Sequence, residues 1–229
     1  MLFAIDIDAT IATDRNGYAR YLNNKLKLGI EESVIEQIKC YHDFHSLPAV
    51  QNYLQEPDQR DYYQAIYNRL QHEPEIQQNL DPLPNAVQAL NTIAQWGNII
   101  YITCRQPGAE ALTREWLARA GFPSPEHVTI CAHYHAKYLA AYEQAAPREK
   151  IILIDDHAEE MVKAFFIMAK NRLDIAVSLR RRLAVVAFDH TEPPTFHFKV
   201  PFPVIALPSW HPNDLAQLQQ KKEEQHQID

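Results

Sequence analysis

The chain has 229 residues, 46% of them hydrophobic and 22% charged, with a formal net charge of −7, enough for one large domain or for a core domain carrying a sizeable insertion. Its five glycines, Gly17, Gly29, Gly97, Gly108 and Gly121, are isolated, which excludes a glycine-rich phosphate loop, a dinucleotide fingerprint and a G-x-S-x-G nucleophile elbow. The acidic balance argues against nucleic acid as a partner, and Arg180, Arg181 and Arg182, the one compact basic run, read as a solvated helix face.

The apolar segment Leu2 to Ile7 reads as a buried strand. It meets Asp6 and Asp8 almost at once, so it is neither a signal peptide nor a membrane span, and no membrane partner is expected. From Asp14 to Asp81 polar and aromatic residues dominate, with apolar residues at helical spacing, as in Val34, Ile35 and Ile38. This segment is predicted to be a helical insertion broken by Pro48 and Pro57. After Pro82 and Pro84 an alternation begins: helix over Ala86 to Gln95, strand over Asn98 to Thr103, helix over Ala109 to Ala120 stopped by Gly121, strand over His127 to Cys131, and helix over Ala136 to Ala145. Lys150 to Ile154 reads as a strand running into Asp155 and Asp156, followed by a helix over Ala158 to Ala169. Leu183 to Phe188 and Val204 to Leu207 are further strands, and a last helix starts after Pro212. The segment Asn171 to Arg182 is left as an extra helix or an interface. Trp96 and Trp116 fall on helices and read as core.

Strands alternating with helices imply an α/β fold, a Rossmann-like parallel sheet with helices on both faces, and such sheets bind ligands at the carboxyl ends of their strands. The acidic residues fall there. Asp6 and Asp8 close the first strand, Asp155 and Asp156 another, and Thr103 a third. Four gathered carboxylates repel one another unless a cation compensates, and a hard divalent ion with oxygen ligands, Mg²⁺, resolves the conflict. The histidines of His42-Asp43-Phe44-His45 and His133-Tyr134-His135 lack the spacing of a zinc helix. Cys40, Cys104 and Cys131 contain no C-x-x-C pair, so neither a disulfide framework nor a zinc site is expected, and a cytoplasmic location fits. The insertion aromatics Tyr41, Phe44, Tyr53, Tyr62, Tyr63 and Tyr67 read as helix packing, with a stacking lid as the alternative.

Asp6-x-Asp8-x-Thr10 after a hydrophobic strand resembles the first motif of the haloacid dehalogenase superfamily. Asn98 to Thr103 is similar to its second motif, Lys137 to the third-motif lysine, with Lys150 a competing candidate, and Ile152 to Asp156 to the acidic fourth motif. Ala9 stands where the first motif most often has Gly. The resemblance implies a core of residues 1–13 and 82–229 with a helical cap over 14–81. It implies Asp6 as nucleophile, Asp8 as general acid and base, and Thr103 and Lys137 as phosphate-binding residues. The implied Mg²⁺ ligands are Asp6, the Asp8 main-chain carbonyl and Asp156 with Asp155 in support, which of the last two dominates staying open. Glu160 lies where many members carry a second acid.

That family's helical cap closes over the active site and selects the leaving group, so a small phosphomonoester is the expected substrate. Thr103-Cys104-Arg105 and Val204 to Trp210 are similar to the 5′-nucleotidase (deoxyribonucleotidase) branch, which makes a nucleoside 5′-monophosphate the refinement and Arg105 a contact to substrate or cap. Alternatives are a sugar-phosphate or phosphoglycolate-type phosphatase, a phosphotransferase, or a non-catalytic regulatory binding module. A homodimer stays open.

Overall fold

A computed structural model describes residues 1–13, 15–38, 41–67 and 74–226. Asp14, Cys40 and the side chains of Tyr41 and His42 lie outside the described residues. The chain separates into two compact units, one of Met1–Ile11 with Pro82–Asp229 and one of Ala12–Asp81.

After β1 (Leu2–Ile5), the helical unit holds β2 (Ala12–Thr13), α1 (Arg15–Leu26), α2 (Glu32–Ile35), α3 (Tyr41–His45), α4 (Pro48–Tyr53), α5 (Pro57–Tyr67) and α6 (Pro74–Gln78), and the chain returns through β3 (Asp81–Pro82), which pairs with β2. Pro48, Pro57 and Pro74 each open a helix. The first helical turn has no use for the N–H that proline lacks, so these residues divide the insertion by starting helices. Leu22, Ile35, Phe44, Val50 and Tyr63 are buried inside it. His45 Nε2 lies 3.1 Å from the Tyr63 hydroxyl and Tyr63 stacks on Tyr67, so His45 is taken up in packing, while Tyr62 and Tyr67 are exposed.

The α/β unit continues through α7 (Ala86–Ile93), β4 (Asn98–Thr103), α8 (Glu110–Ala120), β5 (Val128–Ile130), α9 (Tyr134–Gln144), β6 (Ile151–Asp155), α10 (Ala158–Asn171), α11 (Leu173–Leu179), β7 (Leu183–Phe188), β8 (Val204–Leu207) and α12 (Pro212–His226). Its six-stranded sheet has the order β5-β4-β1-β6-β7-β8, with parallel pairing throughout. Strand residues alternate between two buried faces. Leu2, Ala4, Ile100, Leu153 and Val185 pack with Tyr138, Met161, Phe165 and Leu179 of α9, α10 and α11. On the opposite face Phe3 meets Trp96, Tyr101 meets Phe122, which packs on Trp116 of α8, and Phe188 stacks on Trp210. Burial on both sides is why these strands read as continuous apolar runs.

Two glycines are required by local geometry. Gly121 caps α8 at φ 85°, a left-handed conformation that glycine adopts without penalty. Gly97 lies so close to the Met1 carbonyl oxygen that an added Cβ would stand 2.2 Å from it. Two expectations need correction. Arg180, Arg181 and Arg182 are not a solvated helix face, because α11 ends at Leu179 and the arginines form the turn into β7. Arg182 Nη1 donates to the carbonyls of Ala146 and Glu149 at 3.1 and 3.3 Å, and its guanidinium lies over the Tyr142 ring. Trp96 follows the end of α7 and is only half-buried, unlike Trp116 within α8. Among the described residues no helix is long and apolar enough to cross a membrane.

Candidate active site

β1 stands between β4 and β6, and the chain builds outward from it in both directions. This is a topological switch point, where the loops beyond adjacent strands diverge and leave a crevice. The register pairs Ile5 with Tyr101 and with Ile154, and the Asp6 N–H donates to the Ile154 carbonyl at 2.9 Å. One residue further, Asp6 is level with Asp155, and Thr103 ends the strand on the other side. The turn after Asp6 is closed by Ile11 N–H donating to the Ile7 carbonyl at 2.9 Å, with Ala9 at φ 59°. Ala9 thus takes the left-handed conformation that glycine holds freely, and keeps it against its own Cβ.

Lys137 comes from the first turns of α9 and is 1% exposed. Its Nζ donates to Asp6 Oδ1 at 2.8 Å and to Asp155 Oδ2 at 2.7 Å. Burial alone would lower the lysine's pKa, and the two carboxylates outweigh it and hold it well above the ordinary lysine value. For Asp6, burial is the largest influence. It outweighs Lys137 and, together with the negative charges of Asp155 and Asp8, raises the carboxyl to about 7. Lys150, the competing lysine, precedes β6 at the amino edge of the sheet, where its carbonyl accepts from Leu2.

Asp8 is held from the other side. Arg105 Nε donates to Asp8 Oδ2 at 2.9 Å and Nη2 to Oδ1 at 2.7 Å, while Thr103 Oγ1 lies 3.5 Å from Oδ2. Arg105 is therefore gathered into the cluster, its guanidinium bonded to Asp8 and to Thr113.

Asp156 joins from the loop after β6. Its Oδ1 accepts from Thr10 Oγ1 at 3.3 Å, and its N–H donates to the same hydroxyl at 3.2 Å. His157 Nδ1 lies 2.9 Å from Asp156 Oδ2, and this hydrogen bond pushes the imidazole pKa up to about 9. Asp155 Oδ1 accepts from the His157 N–H at 2.9 Å. Ligand atoms of Asp155, Asp156 and His157 all lie within 4.8 Å of one another. Glu160 stands apart: its nearest cation is Lys163 at 3.6 Å on the exposed side of α10.

These residues fit Mg²⁺. Asp6, Asp8, Asp155 and Asp156 face two permanent cations, Lys137 and Arg105, and the excess negative charge contributes to the raised Asp6 pKa. The donors are almost all oxygens, the set a hard dication prefers.

Two supporting residues escape a reading of the sequence. Thr113 of α8 is fully buried and accepts from Arg105 Nη1 at 3.1 Å. Trp210 is buried after β8, and its Nε1 donates to the Thr10 carbonyl at 2.7 Å. No local pattern marks Thr113. The tryptophan carries a weak signal, since a buried indole needs an acceptor for its N–H.

No family model and no curated protein matches the sequence. Solved structures do match. The HAD-hydrolase YfnB from Bacillus subtilis, described as bound to magnesium, has a TM-score of 0.54 at 11% identity and covers 96% of this chain and 98% of its own. A haloacid dehalogenase-like hydrolase from Xanthomonas campestris has a TM-score of 0.51 at 12% identity, covering 96% and 95%. The defluorinating L-2-haloacid dehalogenase Rha0230 has a TM-score of 0.50 at 15% identity, covering 95% and 94%. With the parallel order around β1, the chain has the fold of the haloacid dehalogenase (HAD)-like hydrolases.

Proposed function

We propose that the protein is a Mg²⁺-dependent phosphatase that hydrolyses a small phosphomonoester through an aspartyl-phosphate. The observation that carries this reading is the buried Lys137 ammonium, bonded to both Asp6 and Asp155 at the carboxyl edge of the sheet. It provides a fixed positive charge beside a carboxylate that can act as nucleophile.

Asp6, the Asp8 main-chain carbonyl and Asp156, with Asp155 in support, would hold Mg²⁺, which when bound supplies positive charge for the phosphoryl oxygens. An Asp6 carboxylate oxygen attacks phosphorus as the ester P–O bond breaks. Asp8 gives its proton to the departing alkoxide. The Asp8 carboxylate then takes a proton from water as that water attacks phosphorus, releasing inorganic phosphate and restoring Asp6 and protonated Asp8. Thr103 and Lys137 hold phosphoryl oxygens during both transfers.

Asp8 favours phosphoryl transfer over dehalogenation: an alkoxide needs a proton to leave, and a halide does not. The resemblance in Thr103-Cys104-Arg105 and in Val204 to Trp210 favours a nucleoside 5′-monophosphate as substrate. Cys104 and Cys131 are both free thiols, which fits a reducing compartment such as the cytoplasm.

Hydrolysis of p-nitrophenyl phosphate with and without Mg²⁺ tests the activity. Turnover is expected only with the metal and is lost in Asp6→Asn. Metal-dependent turnover that survives the substitution refutes Asp6 as nucleophile, and none in the wild type favours a binding module. A panel of deoxynucleotides, sugar phosphates and phosphoglycolate tests the substrate, and the nucleotidase assignment fails where nucleotides rank no higher than the rest.

A further inference from the structure

Arg105 lies two residues beyond β4, and its side chain is 2% exposed. Its Nε and Nη2 grip the two oxygens of Asp8 at 2.9 and 2.7 Å. The third nitrogen, Nη1, donates to Thr113 Oγ1 at 3.1 Å, and the guanidinium carbon sits 5.9 Å from the centre of the Trp116 ring. Two parallel bonds from a planar fork fix both the place and the plane of a carboxylate, which a point charge cannot do. Thr113 and Trp116 both belong to α8, so the fork is itself held by a regular element.

Exposure separates the roles of the two partners. Asp8 is 33% exposed and Arg105 is not, so the carboxylate is the member of the pair that can meet a ligand. We infer that Arg105 is the positioning residue for Asp8, a buried clamp that aims the acid-base carboxylate at the leaving-group oxygen without touching the substrate. The inference rests on the phosphatase reading above. A carboxylate that swings about its Cα–Cβ bond loses the alignment that proton transfer needs, while the nucleophilic attack by Asp6 is untouched.

The test compares Arg105→Met, Arg105→Lys, Asp8→Asn and the double variant Arg105→Met/Asp8→Asn on p-nitrophenyl phosphate and on a primary alkyl phosphate. A p-nitrophenolate leaves without a proton, whereas an alkoxide requires one. In Arg105→Met, single-turnover cleavage of the alkyl ester is expected to slow about 10- to 100-fold while the p-nitrophenolate burst stays within about threefold of wild type, with steady-state kcat falling on both esters because Asp8 also serves as the base toward water. Arg105→Lys keeps a charge but not the fork and is expected to restore little. The double variant is expected to be no slower on the alkyl ester than Asp8→Asn alone, because the clamp acts only through that carboxylate. A KM rising equally for both esters with kcat retained, or losses that multiply in the double variant, overturns the assignment in favour of a substrate-binding arginine. A thermal-unfolding cycle of Arg105→Met and Asp8→Asn on the metal-free protein reads the clamp independently of turnover. Coupling between the two sites is expected and its absence overturns the proposal. A wild type inert toward both esters refutes the phosphatase reading, with the unfolding cycle still deciding whether Arg105 holds Asp8.

Discussion

Replacing Lys137 with Met keeps an unbranched side chain on α9 and removes the charge. The ammonium is the cation bonded to both Asp6 and Asp155, whose side chains are themselves nearly or wholly buried. Removing one partner of a buried ion pair costs about 3–5 kcal/mol, because the other is left charged and desolvated. Two carboxylates are left behind here, which places the expected loss in that range for the metal-free protein at pH 8, where Asp6 is ionised. For an α/β unit of roughly 160 residues, each kcal/mol moves Tm by about 2–4 °C, so the unfolding temperature should fall by roughly 6–20 °C. Tryptophan fluorescence reports this unit selectively, since Trp96, Trp116 and Trp210 all belong to it. Adding Asp155→Asn to Lys137→Met removes one stranded charge and should recover part of the loss. A cost below about 1 kcal/mol, within the range of ordinary substitutions, would refute the argument that Lys137 neutralises the buried carboxylates.

Four further outcomes are expected. Asp6 has a folded pKa of about 7 against an ordinary 3.8, so the native state holds its proton longer than the unfolded chain does. Stability of the metal-free protein should therefore fall as pH rises from about 4 to 7. His157, raised from 6.5 to about 9 and half exposed, adds a weaker decline between those values. Mg²⁺ competes with the Asp6 proton, so its stabilising effect in thermal unfolding should be larger at pH 8 than at pH 5.5, and the opposite order would refute Asp6 as a ligand. Ala9→Gly relieves a left-handed alanine, and after the added unfolded-state entropy the expected gain is about 0.5–1 kcal/mol in urea unfolding. Gly97→Ala drives a Cβ against the Met1 carbonyl, which accepts from Asn98, and should cost about 1–3 kcal/mol by the same measurement.

Much of the α/β unit is legible because its strands are short apolar runs with sharp ends. Asn98–Thr103, Leu183–Phe188 and Val204–Leu207 run over the residues that composition marks. The order of the strands is not legible, since pairing joins segments such as Leu2 and Ile151 that no local pattern relates. The helix over Leu173–Leu179 falls in the segment that the sequence leaves between an extra helix and an interface, because it starts directly after α10 with only Arg172 between them. Arg180 to Arg182 mislead for a different reason. A charge run says nothing of the aromatic ring and carbonyls that an arginine can cover, and Arg182 finds both. In the site, Asp6, Asp8, Thr103, Asp155 and Asp156 stand out at strand ends. Thr113 and Trp210 do not, because they act on Arg105 and Thr10 from α8 and from beyond β8.

A strand-end acid is by itself an ambiguous signal. Asp189 follows β7 as Asp6 follows β1, and from composition the two are alike. Strand order separates them. Asp189 lies two strands from β1 and is exposed, its N–H extending the β7–β8 ladder by donating to the Leu207 carbonyl. Asp6 and Asp155 end adjacent strands and are buried, a placement that would be prohibitive for two carboxylates without a shared cation. Lys137 supplies that cation from α9, which follows β5 on the far side of β4 and reaches the edge between β1 and β6. Adjacency at the switch point forces the carboxylates together, their burial calls for the lysine, and the charge still uncompensated is of the kind a hard divalent ion would neutralise.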